Sequence, residues 1–344
     1  MVVFLLGVLL PELTLRFSLN PAEQGRLFLI LNAAIFITVF LAGPVIDAIG
    51  KRAIIIVGAL AVGLAFAAIG QVRSLPWLGC VLFFLGLGAG AVNIACNTLI
   101  PDLYPQRPAV AFSLANIFFG LGGITVPFMS SLWLDRLGLA RFMVLIGLFA
   151  LLPVLFLAFT PVPRVRKPFR FAFASYYSVF NLPHYLFFAL LFFFYGGLEV
   201  TTAVWLKTYL IEQSHIAIAE AGWLLTAFSC TLLVGRLAGS YVLARVSEIK
   251  VALCATALAG IGLVILTRTA HLLWIKLAIV VIGVSLAPVF PAALGLVSKL
   301  FKNNKDMGIG TLLGWGIFGG VVTPYLLGLC GGDIQYTLVV VTCL

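Results

Sequence analysis

Uncharged apolar runs of bilayer-crossing length leave a chain few ways to fold. Leu27–Ile46 and Ala53–Gly70 carry no charged residue, and each is close to the roughly 20 residues a helix needs to span hydrocarbon. Similar runs recur along the sequence, so that 63% of the 344 residues are hydrophobic and only 9% charged. Soluble domains carry about 25% charged residues. Inside a bilayer every backbone polar group must be satisfied within the protein, which admits helices or a closed barrel. Barrel strands alternate apolar and polar residues, and these runs do not. The expectation is an all-α integral membrane protein.

Polar interruptions divide the chain into spans near Met1–Phe17, Gln24–Asp47, Ala53–Gly70, Trp77–Ile100, Ala109–Trp133 and Phe142–Thr160. A second series follows at His184–Ile211, Ala219–Leu243, Val251–Thr267, Leu272–Leu300 and Met307–Leu329, with a last apolar run reaching Leu344. The first and last are short for spans, so a twelve-span protein clipped at both ends is expected. Residues 161–182 form the one long polar interruption, with Arg164, Arg166, Lys167 and Arg170 among prolines. They separate an expected six-helix bundle at 1–160 from another at 183–344.

The net charge of +10 follows the loops and offers no soluble basic domain for nucleic acid. If the 43–52 loop is cytoplasmic, twelve basic residues lie in inside loops and six outside, as the positive-inside rule requires. The plasma membrane is the expected location, with the 161–182 linker also cytoplasmic. The six cysteines form no C-x-x-C pair or Cys/His cluster, so they read as small packing residues, and no metal or cofactor is expected. Headgroup-transferring enzymes need paired Asp or His at the membrane surface. Eleven acids and three separated His supply no such pair, so no enzyme is expected.

Between the second and third spans stands Gly43-Pro-Val-Ile-Asp47-Ala-Ile-Gly50-Lys51-Arg52. An acid at the end of an apolar helix is unfavourable, because that terminus already carries partial negative charge. The order Gly-x-x-x-Asp-x-x-Gly-Lys-Arg resembles the signature loop of the major facilitator superfamily of transporters. The resemblance implies two pseudo-symmetric six-helix bundles with a site near mid-bilayer. It also implies that Asp47, held by Arg52 and framed by Gly43 and Gly50, meets the start of the eleventh span when the cytoplasmic side is closed. Lys51 is read here as a topology marker.

Internal repetition agrees with two halves. Gly122-Gly-Ile-Thr-Val-Pro127-Phe128 recurs as Gly319-Gly-Val-Val-Thr-Pro324-Tyr325, displaced by 197 residues (127 to 324). The stretch Gly235-Arg236, Gly239, Arg245 and Lys250 reads as a loop carrying a degenerate copy of the opening motif, without its acid.

Polar residues inside spans are costly and mark functional paths. Asn93 and Asn97 share one face of the fourth span, on a stripe with Gly86 and Gly90 that lets another helix approach. Asn32 and Asn116 extend the set. Four amides without buried charge suit a neutral polyhydroxylated ligand, although hydrogen bonding between helices would also account for them. Tyr195, Glu199 and Thr202 fall on one face of the seventh span, where Gly196-Gly197 can loosen the helix. Glu199, the only acid of that span, is a candidate proton carrier or sugar-hydroxyl acceptor. Trp315, between Gly314 and Gly316, is the candidate ring for stacking on a pyranose.

The Tyr195-Gly-x-x-Glu199…Trp205 run and Ala287-Pro-x-Phe-Pro291 resemble the fucose–galactose/glucose permease branch of the superfamily. That branch moves monosaccharides, commonly with protons. Where it carries an acid important for coupling, this chain has Asn93, and Glu12 only roughly matches the other acid. Uniport and coupling through Glu199 or Glu12 are therefore both open. The expected function is carriage of a small neutral solute, foremost a monosaccharide, by alternating access, with the lipid bilayer and H+ as partners and a monomeric state. A proton-driven multidrug exporter is the alternative, and a non-transporting membrane sensor a remoter one.

Overall fold

The computed structural model describes residues 2–159, 173–182, 184–212, 214–301 and 305–329. Among them the regular elements are α-helices: α1 (Val2–Phe17), α2 (Pro21–Ile49), α3 (Lys51–Ile69), α4 (Leu75–Leu103), α5 (Pro108–Phe159) and α6 (Phe173–Phe180). They continue as α7 (Tyr185–Glu212), α8 (Ile218–Leu243), α9 (Glu248–Arg268), α10 (Leu272–Leu286), α11 (Val289–Leu300) and α12 (Lys305–Leu329). Eight spans among the described residues are long and apolar enough to cross a membrane. The expected last run lies outside the described residues, as does most of the 161–182 linker.

Local chemistry sets the helix ends. Asn20 caps α2 in a capping box, its side chain accepting from Glu23 N at 2.9 Å while Glu23 accepts from Asn20 N at 2.9 Å. Such caps satisfy backbone donors that the first turn leaves unpaired. Gly50 alone separates α2 from α3, at a φ of +88° that favours glycine. The stretch α5 is broken at Gly138, whose φ of +73° and ψ of 158° are not helical, so the fifth and sixth expected spans are separate helices on either side of it. The expected tenth span, Leu272–Leu300, is long and apolar enough to cross as one stretch, and within it the helix breaks into two where Pro288 offers no N–H to continue the ladder.

The chain falls into two compact units whose division does not follow chain order. One unit comprises Met1–Leu103, Leu121–Val179 and Asp306–Gly314; the other comprises Tyr104–Gly120, Phe180–Lys305 and Trp315–Leu344. The beginnings of α5 and α12 thus group with helices remote from them in sequence.

In the first unit the helices meet through small residues. A Cβ on Gly86 would stand 2.6 Å from Leu31 O of α2, and one on Gly88 would stand 2.8 Å from Gly58 O of α3. The Gly86/Gly90 stripe therefore brings α4 against α2, as its spacing predicts. Around these crossings Leu31, Phe66, Leu82, Phe142 and Ile146 form a buried cluster. The start of α12 joins at Gly43, where a Cβ would lie 2.8 Å from Met307 Cα. In the second unit Tyr209, Phe228, Leu263 and Ile282 centre the core. Lipid tails are as apolar as leucine, so van der Waals fit rather than water exclusion holds such crossings.

Candidate functional site

Arg236 does not lie in a loop. It sits within α8, 7% exposed, and its Nη2 lies 3.1 Å from Glu199 Oε1 of α7. Its Nη1 donates to the backbone oxygen of Asn116 at 3.0 Å, and Ser113 Oγ donates to Arg236 O at 2.6 Å. Three helices of the second unit, α5, α7 and α8, therefore converge on one guanidinium. Tyr195, one turn before Glu199, adjoins both members of the pair and packs its ring on Phe290 at 5.6 Å between centroids. This corrects the expectation of a set without buried charge: Glu199, the one acid of its span, is the anion of an ion pair with Arg236. Removing one member of such a pair is costly because the other is left buried and uncompensated.

The amides divide between the units. Asn116 belongs with Arg236, and its own side chain donates to Phe112 O at 2.9 Å. Asn97 donates to Asn93 O at 2.9 Å and to Asn93 Oδ1 at 3.3 Å, so the two form a linked pair on α4, with Asn93 exposed. Asn32 donates to Phe28 O within α2. The amide nitrogens of Asn32, Asn97 and Asn116 thus each serve their own helix. Trp315 Nε1 donates to Tyr185 Oη at 3.2 Å, and its ring meets Phe193 and Phe318 edge-on. Thr202 is buried and its hydroxyl has no hydrogen-bond partner among the described residues. Glu12 lies on an exposed face of α1.

The glycines of the seventh span pack rather than bend. The α7 helix runs unbroken through Gly196-Gly197, and a Cβ on Gly197 would stand 2.7 Å from Thr323 Cγ2 of α12. The free cysteines Cys80, Cys96, Cys230 and Cys254 are exposed and so are not the packing residues expected.

A second charged centre lies in the first unit. Lys51 Nζ lies 2.5 Å from Asp102 Oδ2 and 3.0 Å from Asp306 Oδ1, and donates to Thr98 O at 2.8 Å. Its side chain is 9% exposed. Lys51 is thus the hub that ties the first turn of α12 to α3 and α4, a role beyond topology marking. Gly43 gives α12 its close approach, Gly50 makes the turn and Arg52 is half-buried. The side chain of Asp47 lies outside the described ones. Neither Arg236 nor the Asp102/Asp306 pair was identified from sequence. Arg236 stands inside an apolar run and Asp102 follows Pro101 at the end of another, which are the signals that mark them.

A glucose/galactose transporter of Brucella abortus is 26% identical over 349 residues, 93% of this chain and 82% of that protein. A TsgA homolog of Buchnera aphidicola is 29% identical over 131 residues, and the matched part spans 34% of that relative's length. The crystal structure of the Escherichia coli fucose:proton symporter FucP superposes with a TM-score of 0.83 at 19% identity, covering 99% of this chain and 93% of that one. The family model of the Major Facilitator Superfamily matches residues 1–216 and 187–344, so the chain belongs to the Major Facilitator Superfamily.

Proposed function

We propose that this protein carries a monosaccharide across the plasma membrane by alternating access, with a proton as its coupling ion at Glu199. The observation that carries this reading is the buried Arg236–Glu199 pair, held by three spans and adjoined by Tyr195. The similar proteins, a glucose/galactose transporter and a fucose:proton symporter, support the solute class and the ion.

Coupling follows from the cost of an unpaired buried charge. Protonating Glu199 removes the anion that compensates Arg236, and the guanidinium then needs another acceptor. Sugar hydroxyl oxygens are such acceptors, while the protonated carboxyl becomes a donor. Proton and sugar together replace the ion pair, whereas a proton alone leaves Arg236 without its acceptor and a sugar alone must compete with the intact pair. Asn93, Asn97, Asn32 and Asn116 present further hydrogen-bonding groups, and Trp315 a ring face. Residues 1–160 and 183–344 act as the two moving bundles, joined by 161–182 on the cytoplasmic side with the 43–52 loop. Release of Asp306 from Lys51 frees α12 during the switch, a two-state equilibrium biased by solute.

Uptake of labelled monosaccharides into proteoliposomes, with and without a pH gradient, tests the proposal. Glu199→Gln is expected to keep sugar exchange and lose gradient-driven accumulation. Full accumulation by Glu199→Gln removes Glu199 from coupling, and absence of uptake for every monosaccharide removes the solute class.

A further inference from the structure

The 197-residue displacement that relates Pro127 to Pro324 also carries Lys51 onto Glu248 and Asp102 onto Lys299. Both couples are ion pairs, Lys51–Asp102 and Lys299–Glu248. Their places in the helices agree. Lys51 and Glu248 open α3 and α9, while Asp102 and Lys299 are the last residues but one of α4 and α11. The polarity is reversed.

The surroundings of the two pairs differ in a way that matches the reversal. A helix N-terminus favours an anion and a C-terminus a cation. Glu248 and Lys299 both satisfy this rule, whereas Lys51 and Asp102 both oppose it. The same displacement carries Ala109 onto Asp306 and Thr98 onto Gly295. In the first unit Asp306 stands 3.0 Å from Lys51, which also donates to Thr98 O. At the matching corner of the second unit α5 contributes Ala109. A Cβ on Gly295 would stand 2.6 Å from Ala109 Cβ, and Ala109 is buried with Leu243, Val251 and Ala292. The Gly295 carbonyl accepts from Ser298 Oγ.

We propose that the inverted pair is a closed electrostatic staple and the original pair an open latch. Glu248–Lys299, supported by both helix termini, fixes α9 to α11 with no third charge among the described residues, so the first turn of α5 is seated by packing. Lys51–Asp102, opposed by both termini, is completed by Asp306, so the first turn of α12 is held by charge. The polarity of the first pair is fixed by Asp306, while that of the second is interchangeable. Within the transport cycle proposed above, on which this rests, charge governs the release of α12 but not of α5.

Hydrogen–deuterium exchange of the full chain in lipid nanodiscs reads both first turns without solute. In K51E/D102K, residues 305–311 are expected to exchange about tenfold faster or more, since Asp306 then faces a carboxylate. Adding D306K is expected to restore most of the protection. In E248K/K299E, residues 108–113 and 305–311 are both expected to stay within about threefold of wild type. If K51E/D102K fails to assemble, D306A supplies the same readout, with the same loosening of 305–311 expected. Loosening of 108–113 in E248K/K299E, or unchanged 305–311 in K51E/D102K or D306A, overturns the proposal. Monosaccharide uptake is scored separately. The expected exchange pattern without uptake keeps the latch and removes the sugar reading; uptake with exchange indifferent to polarity at both corners does the reverse.

Discussion

Arg236 Nη2 of α8 lies 3.1 Å from Glu199 Oε1 of α7, with side-chain exposures of 8% and 26%. The cation is buried and the anion partly so, on spans that are mostly apolar. Neither charge is tolerable there without the other, so each residue's consequences depend on its partner.

Replacing Arg236 by Met is expected to lower stability by about 3 kcal/mol, the smaller end of what breaking a buried pair costs, because Glu199 retains some exposure. The double variant Arg236→Met/Glu199→Leu is expected to recover much of that loss. Thermal unfolding of wild type, both singles and the double in detergent gives the coupling directly. Additive losses would mean that the pair contributes no interaction of its own.

Asn97→Ala is expected to reduce monosaccharide uptake by about tenfold while costing only about 1 kcal/mol of stability, since its amide donates within its own helix. Uptake and thermal midpoint are measured on the same preparation. Unchanged uptake takes the α4 amides out of the solute path.

Gly43→Val is expected to destabilise by about 1–3 kcal/mol through overpacking against the α12 backbone. Gly25→Ala, in the same helix but with nothing within 4 Å of an added Cβ, is expected to be neutral or to stabilise by up to about 1 kcal/mol. Unfolding of the two variants side by side separates close approach from helix propensity.

Trp315→Ala is expected to raise the apparent KM for sugar by about tenfold, equivalent to about 1.4 kcal/mol. Trp315→Phe keeps a ring face and loses only the bond to Tyr185, so it is expected to change KM a few-fold. Equal effects of both variants would locate the contribution in the indole N–H rather than the ring.

Much of the architecture was legible from the chain because the bilayer restricts it so strongly. Apolar runs must become helices, and the capped, glycine-terminated ends at Asn20 and Gly50 are local chemistry readable in a few residues. The Gly86/Gly90 stripe likewise announced a close crossing, since helix faces follow from spacing alone. Pro288 also marks the break between α10 and α11 inside the span Leu272–Leu300.

What the sequence by itself determined was the solvent, the helical class, the repeat and the identity of the polar residues within the spans. The tertiary structure alone decided which charge meets which: Lys51 finds Asp306 across 255 residues, and Arg236 finds Glu199 on a neighbouring span. Helix formation depends on contacts three and four residues apart, which a linear pattern records. Ion pairing in a low-dielectric interior depends on which helix faces are brought together by packing, and no local pattern records that.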